Sequence, residues 1–171
     1  MTAPPPPEAW LRGPLPDIVP PLQPVAHALV QAGEDLARVV PTLTTAELWV
    51  EPGGAAPAGY HVKHATGSLD RLVTYARGEA LSAGQRATLA AEGLGGDSAD
   101  ALLTRAQVAI DAALGHLRTV PAAALAEPRL VGRAQLPATV LGLLFHAAEH
   151  TTRHVGQLIT TVKVVRGLRL A

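Results

Sequence analysis

Cysteine is absent from this sequence of 171 residues, and aromatic residues make up only 3% of it. Without cysteine the chain has no disulfides, no thiolate metal ligands, no iron–sulfur clusters and no cysteine nucleophile. Any bound metal must therefore use histidine, aspartate or glutamate. Because aromatic residues are scarce, the core must be built from alanine, valine and leucine, which suits packed helices better than a β-sandwich. The composition predicts an all-α protein.

An excess of charge is also missing, since 14 basic residues balance 14 acidic ones. Nothing therefore attracts the molecule as a whole to nucleic acid or to an anionic membrane. The start of the chain lacks the basic and apolar regions of a signal peptide, and no apolar stretch reaches transmembrane length. We expect a soluble, cytoplasmic protein with no nucleic-acid partner and no membrane partner.

Prolines are concentrated at the start of the chain, where they disfavour helix and favour extended structure. We predict a proline-rich N-terminal arm over residues 1–21, extended or disordered, and one helical domain over residues 22–171. A disordered leader is favoured over a recognition peptide, although Trp10, Leu11 and Ile18 are candidates for packing on the domain.

Apolar residues recur at three- and four-residue steps in four long segments, which is typical of amphipathic helices. The pattern predicts helices over residues 22–40, 59–76, 98–120 and 137–165, with a short helix over 83–91. Ser82 and Ser98 are the expected N-caps, and Pro137 is expected in the first turn of the last helix. A little extended structure is expected around 129–135. Four long helices with modest links predict a four-helix bundle.

Three histidines, His146, His150 and His154, recur at four-residue intervals on the last predicted helix. A helix advances about 100° per residue, so each four-residue step returns to nearly the same face. Two imidazoles at this spacing can bind one ion, whereas three in a row on a straight helix spread too far. His150 and His154 are the predicted pair, and another helix should supply the third ligand.

The histidine stripe is expected to flank the apolar face of the last helix, which includes Leu141, Leu144 and Phe145. A position at the margin of the core gives a site access to solvent. Glu149 lies about 100° from its neighbouring histidine and is predicted to pair with Arg153 one turn later. We therefore do not expect it to act as a general base.

The second long helix offers the third ligand. His64 shares a polar stripe with Ser68, Arg71 and Tyr75, while His61 lies at the border with the apolar face. His64 is therefore the predicted ligand, and His61 is expected to act through stability or ligand orientation. Three histidines with open water positions are typical of a catalytic metal site, because a closed structural site uses four protein ligands.

Several further polar residues are expected to support the ligands by hydrogen bonds, or to orient an anionic substrate, without binding the ion. These residues are His61, His146, Arg71, Tyr75 and Gln157. His146 also stays open as an alternative ligand, and Arg71 and Tyr75 as purely structural residues. For His27, His61 and His116 a structural or surface role is favoured.

Several short motifs in the sequence resemble those of a known family. The motifs lie at residues 61–65, 67–72 and 74–78 and in the ending His-x-x-x-His-x-Gly-Gln at 150–157. Together they resemble the DinB-like superfamily of bacterial metalloenzymes over about residues 22–166. The ending is the most specific of these motifs.

The resemblance implies a DinB-like four-helix bundle in up-down-down-up order, often dimeric, with nickel or zinc on a histidine triad. Position by position, the ligands it implies are His64, His150 and His154, with His61 as the alternative to His64. Related members use low-molecular-weight thiols as cosubstrates, which fits a chain without cysteine. We expect one divalent ion, zinc or nickel, a homodimer, and a small-molecule substrate, with a low-molecular-weight thiol as the candidate cosubstrate.

The leading functional hypothesis is a metal-dependent enzyme, a hydrolase or a thiol-dependent transferase, in which the ion activates water or a thiol. One alternative is a non-catalytic, stress-associated metal-binding protein with the same fold. A third is a helical interaction module with incidental histidines. Metal affinity is expected to fall below about pH 6, because imidazole must be neutral to bind and its free pKa is about 6.5.

Overall fold

The computed structural model of the chain describes residues 6–168. Its helices are α1 Gln23–Val39, α2 Thr45–Leu48, α3 Ala58–Ala76, α4 Ala83–Ala90, α5 Ala99–Thr119 and α6 Val140–Leu168. Between α5 and α6, β1 Pro128–Val131 and β2 Leu136–Thr139 form an antiparallel hairpin. The predicted all-α fold is confirmed, with this hairpin as an addition. None of the described helices combines the length and apolar character needed to cross a membrane.

The four long helices α1, α3, α5 and α6 form the bundle. The starts of α3 and α5 lie together, because Lys63 donates a hydrogen bond to Asp97 just before α5. The end of α3 lies beside the hairpin that precedes α6, where Arg129 donates to the carbonyl oxygen of Ala76. At the other end, Arg166 of α6 donates to the backbone of the turn after α1. The helices therefore run up, down, down and up, as the resemblance implies.

Aliphatic side chains fill the core. Its largest fully buried members are Leu22, Leu29, Leu36, Leu48, Leu69, Leu102, Leu117, Leu144 and Leu158, with Val40, Val62 and Val140. Burying each leucine stabilises the fold by about 2 kcal/mol. The bundle therefore owes its stability to this core, and side chains at its margin are available for other roles.

Local sequence signals account for most helix starts. The hydroxyl of Ser82 accepts a hydrogen bond from the backbone N–H of Gln85, whose side chain bonds back to Ser82, so α4 begins with a capping box. The hydroxyl of Ser98 likewise accepts from the backbone of Ala101 at the start of α5. Both predicted N-caps are confirmed. Thr44 caps α2 in the same way, and this short helix was not predicted from the sequence.

The prediction that Pro137 lies in the first turn of the last helix is wrong. Pro137 belongs to β2 and pairs with Leu130, and α6 begins at Val140. Proline disfavours helical backbone at the residue before it, which extends Leu136, and a two-stranded sheet has only edges, where a missing N–H is tolerated. The extended structure expected near residues 129–135 is confirmed as this hairpin.

The described part of the proline-rich segment, residues 6–21, lies along α1. The side chain of Gln23 bonds the backbone of Leu15 and Ile18, and Ile18 is buried in the core. Trp10, in contrast, is 62% exposed. Residues 1–5 of the predicted arm and 169–171 of the predicted domain lie outside the described residues, and the division at residue 21 stays a prediction.

The buried face of α6 matches the expected one only in part, since Leu144 is buried as predicted. Phe145, predicted to face the core, is 61% exposed, and Leu141 is 37% exposed. Leu143, Ala147 and Thr151 are buried instead. Because α6 packs against both α3 and α1, its buried arc is wide and turns toward α3. This rotation moves the histidine stripe of α6 closer to α3.

Candidate metal centre

Antiparallel packing of α3 and α6 brings three histidines together. The Nε2 atoms of His64 and His150 lie 3.0 Å apart. The ring of His154 has its centroid 4.6 Å from that of each of the other two. Each of the three residues offers a nitrogen within 4.8 Å of the others. Zinc–imidazole bonds are about 2.0–2.1 Å long, so nitrogens of a tetrahedral site lie about 3.3 Å apart.

Neutral nitrogen donors at this spacing fit a divalent ion of the zinc or nickel type. All three predicted ligand positions, His64, His150 and His154, are therefore brought together by the fold. The i,i+4 pair comes from α6 and the third histidine from α3, as the spacing argument requires. Their role as ligands stays a prediction.

The environment of His150 and His154 favours their neutral form. Burial, followed by the nearby rings of His64 and His150, lowers the pKa of His154 from 6.5 to about 4. Burial and then His64 also lower the pKa of His150. Removing imidazole from water disfavours its cation, and neighbouring imidazoles cannot all be charged. A set of neutral imidazoles is the form that a metal ion requires.

These lowered pKa values predict how the stability of the metal-free protein varies with pH. In the unfolded chain His150 and His154 bind protons as the pH falls through about 6.5, whereas in the folded chain they resist protonation. Stability rises with pH wherever the unfolded state binds more protons. The free energy of unfolding should therefore have its highest value above about pH 6.5. It should fall as the pH drops from there toward about 4, where folded His154 takes up its proton.

Urea denaturation of the metal-free protein between pH 7.5 and pH 5 checks this expectation. The matched control is the double variant His150→Ala and His154→Ala. Its free energy of unfolding should decrease less steeply on acidification. A free energy of unfolding that stays constant or rises on acidification contradicts this expectation.

The loss of metal affinity expected below about pH 6 also stays a prediction. The lowered pKa values of His150 and His154 shift the expected loss toward lower pH.

His61 lies behind the ligand set. Its Nδ1 is 3.1 Å from Nδ1 of His154, so one of these nitrogens donates a hydrogen bond and the other accepts it. His61 as a residue is 7% exposed. His61 therefore contacts a candidate ligand and belongs to the packed part of α3, where the sequence analysis placed it.

A buried carboxylate that the sequence analysis missed contacts the site. Glu92, in the turn after α4, accepts a hydrogen bond from Nδ1 of His64 at 2.7 Å and another from Nη1 of Arg71 at 2.6 Å. Glu92 is 28 residues from His64 and lies on a different element, so helical periodicity does not relate the two positions. The signal in the sequence that could have identified Glu92 is its position before a glycine-rich turn, because a turn does not need an acidic residue there.

The remaining predicted supporting residues fall in different places. His146, one turn before His150, is half exposed, and its Nδ1 lies 3.4 Å from Oε2 of Glu149. Gln157 is exposed. Tyr75 lies in a cleft beside the hairpin, eleven residues beyond His64 on α3, which is about 16 Å along the helix axis. Of this group, His61 and Arg71 join the cluster, and His146 lies at its outer edge.

Other predictions about charged residues and histidines also have outcomes. Glu149 pairs with Arg153, so its expected surface ion pair is confirmed. His27 bonds the carbonyl oxygen of Gly13, and His116 is partly buried near the end of α5.

The ring of Tyr60 stacks on that of His64, with the ring centroids 5.4 Å apart and an angle of 8° between the ring planes. The His64 side chain is nevertheless 22% exposed, so the centre is accessible from solvent.

The sequence also matches a known protein family. The family model for the DinB superfamily matches residues 28–158, which is more than half of the chain. The matched region runs from α1 into α6 and includes all three candidate ligands. No curated protein matches the sequence.

Proposed function

Because the chain belongs to the DinB superfamily and brings three imidazoles together, we propose that it is a metal-dependent enzyme with one divalent ion on His64, His150 and His154. The observation that carries the proposal is the convergence of nitrogens from two helices within 4.8 Å of one another. Zinc and nickel are the proposed metals, because both bind imidazole well.

The number of proposed protein ligands favours a catalytic site over a structural one. Three histidines leave coordination positions for water or substrate, whereas a structural site is closed by a fourth protein ligand. When bound, the ion supplies Lewis acidity that activates a water or an incoming thiol as a nucleophile. We therefore propose hydrolysis or thiol-dependent transfer as the reaction class.

The residues of this chain have separate parts in that reaction. His150 and His154 present their rings from one face of α6, and His64 approaches them from α3. The His64 side chain is 22% exposed, which supports access of a small molecule to the centre from solvent. A low-molecular-weight thiol is the proposed cosubstrate because of the family resemblance, and a chain without cysteine is compatible with an external thiol. A cytoplasmic homodimer is the proposed form of the protein.

Turnover assays test this proposal. The zinc- or nickel-loaded protein is incubated with p-nitrophenyl acetate to detect hydrolysis, and with a chromogenic aryl chloride plus glutathione or cysteine to detect thiol transfer. We expect metal-dependent turnover in at least one assay. The matched control is the variant with alanine at positions 150 and 154, which should be inactive. Binding of metal without turnover in any assay favours the non-catalytic metal-binding alternative.

A further inference from the structure

The turn after α4 contains a carboxylate whose burial needs an explanation. Glu92 is 3% exposed. A carboxylate is rarely buried this deeply unless charged or hydrogen-bonding partners compensate for the loss of water. Both of its oxygens have such partners, Arg71 on one side and His64 on the other. One of the two is a candidate metal ligand, so the burial of Glu92 is tied to the metal centre.

The hydrogen bonds determine which nitrogen of His64 carries a proton. An ionised carboxylate only accepts hydrogen bonds, so Nδ1 of His64 is the donor to Oε2 of Glu92. Nε2 then keeps its lone pair, and this is the atom that lies 3.0 Å from Nε2 of His150. The contact with Glu92 thus directs the lone pair of His64 toward the other two histidines.

We propose that Glu92 is a positioning residue for the metal centre, which fixes the tautomer and the ring orientation of His64, and that Arg71 holds Glu92 in place. The inference rests on the proposed function in taking His64 as a ligand. Carboxylates that accept from the second nitrogen of a metal-bound histidine orient the ring and raise its basicity. Arg71 is itself 8% exposed, so the ion pair is shielded from water.

A glycine in α3 makes room for this arrangement. Gly67 lies one turn after His64, and a Cβ atom there would overlap Oε1 of Glu92 and lie 2.8 Å from Nη1 of Arg71. Glycine is unfavourable inside a helix, so the position is better explained by the space that the ion pair needs. In contrast, a Cβ atom on Gly115 of α5 would have no neighbour within 4 Å.

Zinc titration at neutral pH tests the role of Glu92. Glu92→Gln should weaken zinc binding by about 10- to 100-fold, because His64 and Arg71 donate to different oxygens of Glu92 and an amide places a donating NH2 group where one of these oxygens lies. Glu149→Gln is the matched control, since Glu149 forms its ion pair with Arg153 on the surface of α6. We expect this control to stay within about twofold of the wild type.

A second pair of variants leaves the charges intact. Gly67→Ala should displace the carboxylate and weaken zinc binding, whereas Gly115→Ala should leave zinc binding unchanged. This pair keeps the inference testable if Glu92→Gln fails to fold. Unchanged zinc affinity in both Glu92→Gln and Gly67→Ala overturns the inference.

Nitrogen-15 NMR of the metal-free protein supplies a readout that a merely structural role does not affect. In the wild type, His64 should carry its proton on Nδ1, and in Glu92→Gln it should become a mixture of tautomers. An unchanged tautomer overturns the role of Glu92 even if zinc binds the wild type. Failure of the wild type to bind zinc overturns the proposed function instead, and the tautomer then still decides whether Glu92 orients His64.

Discussion

Replacing both His150 and His154 by alanine should abolish binding of the divalent ion and leave the helical bundle folded. Apparent binding free energies of structural zinc, about 10–16 kcal/mol over four ligands, correspond to about 3 kcal/mol per ligand. Losing two ligands therefore weakens binding by about 10,000-fold, beyond detection at micromolar protein. The bundle should survive because its aliphatic core does not include either ring.

Isothermal titration with zinc and with nickel, alongside far-UV circular dichroism, measures both parts of this expectation. His146→Ala is the matched control, because His146 lies on the same stripe but contacts Glu149 outside the ligand set. It should bind metal as the wild type does. Full metal occupancy in the double variant contradicts the site assignment, and loss of metal in His146→Ala assigns that residue as a ligand.

The second expected result concerns the choice of the third ligand. His64→Ala should weaken metal binding by more than about a hundredfold, the contribution of one imidazole ligand. His61→Ala should weaken it by about tenfold, through looser orientation of His154, since the two rings meet at 3.1 Å. It should also lower the free energy of unfolding, because His61 is buried on α3.

Metal titration at neutral pH and urea denaturation of both variants separate these effects. The two histidines lie three residues apart on α3 and are matched in chemistry, so each variant is the control for the other. His61 contacts His154 but does not belong to the group of nitrogens formed with His150, so it would replace His64 only if α3 rotated. That rotation would expose Leu69, which is buried on the same helix and contributes about 2 kcal/mol. If His61→Ala is the more damaging substitution for metal binding, the register of α3 against α6 is wrong.

Helix positions and the clustering of three histidines were predictable because they depend largely on local spacing. Serine caps specify where α4 and α5 begin, and apolar periodicity with a following glycine or proline specifies where α3 and α5 end. The four-residue interval of His150 and His154 specifies one helix face. The identity of the third histidine followed from the polar stripe of α3 and from the family resemblance.

Other features depend on tertiary contacts that a single sequence does not reveal. Phe145 was expected in the core, but the rotation of α6 toward α3 leaves it at the surface. Pro137 is compatible with a helix start and with an edge strand, and its pairing with Leu130 selects the strand. Glu92 reaches His64 only through the packing of the turn after α4, which no spacing rule describes.

Anomalous diffraction at the zinc edge, from crystals grown with one equivalent of zinc, tests the central claim most directly. The account predicts one strong peak about 2.0–2.1 Å from a nitrogen of each of three residues, His64, His150 and His154. Neither His61 nor His146 should lie within bonding distance of it. A peak bound by another set of residues, or no peak in this cluster, contradicts the claim.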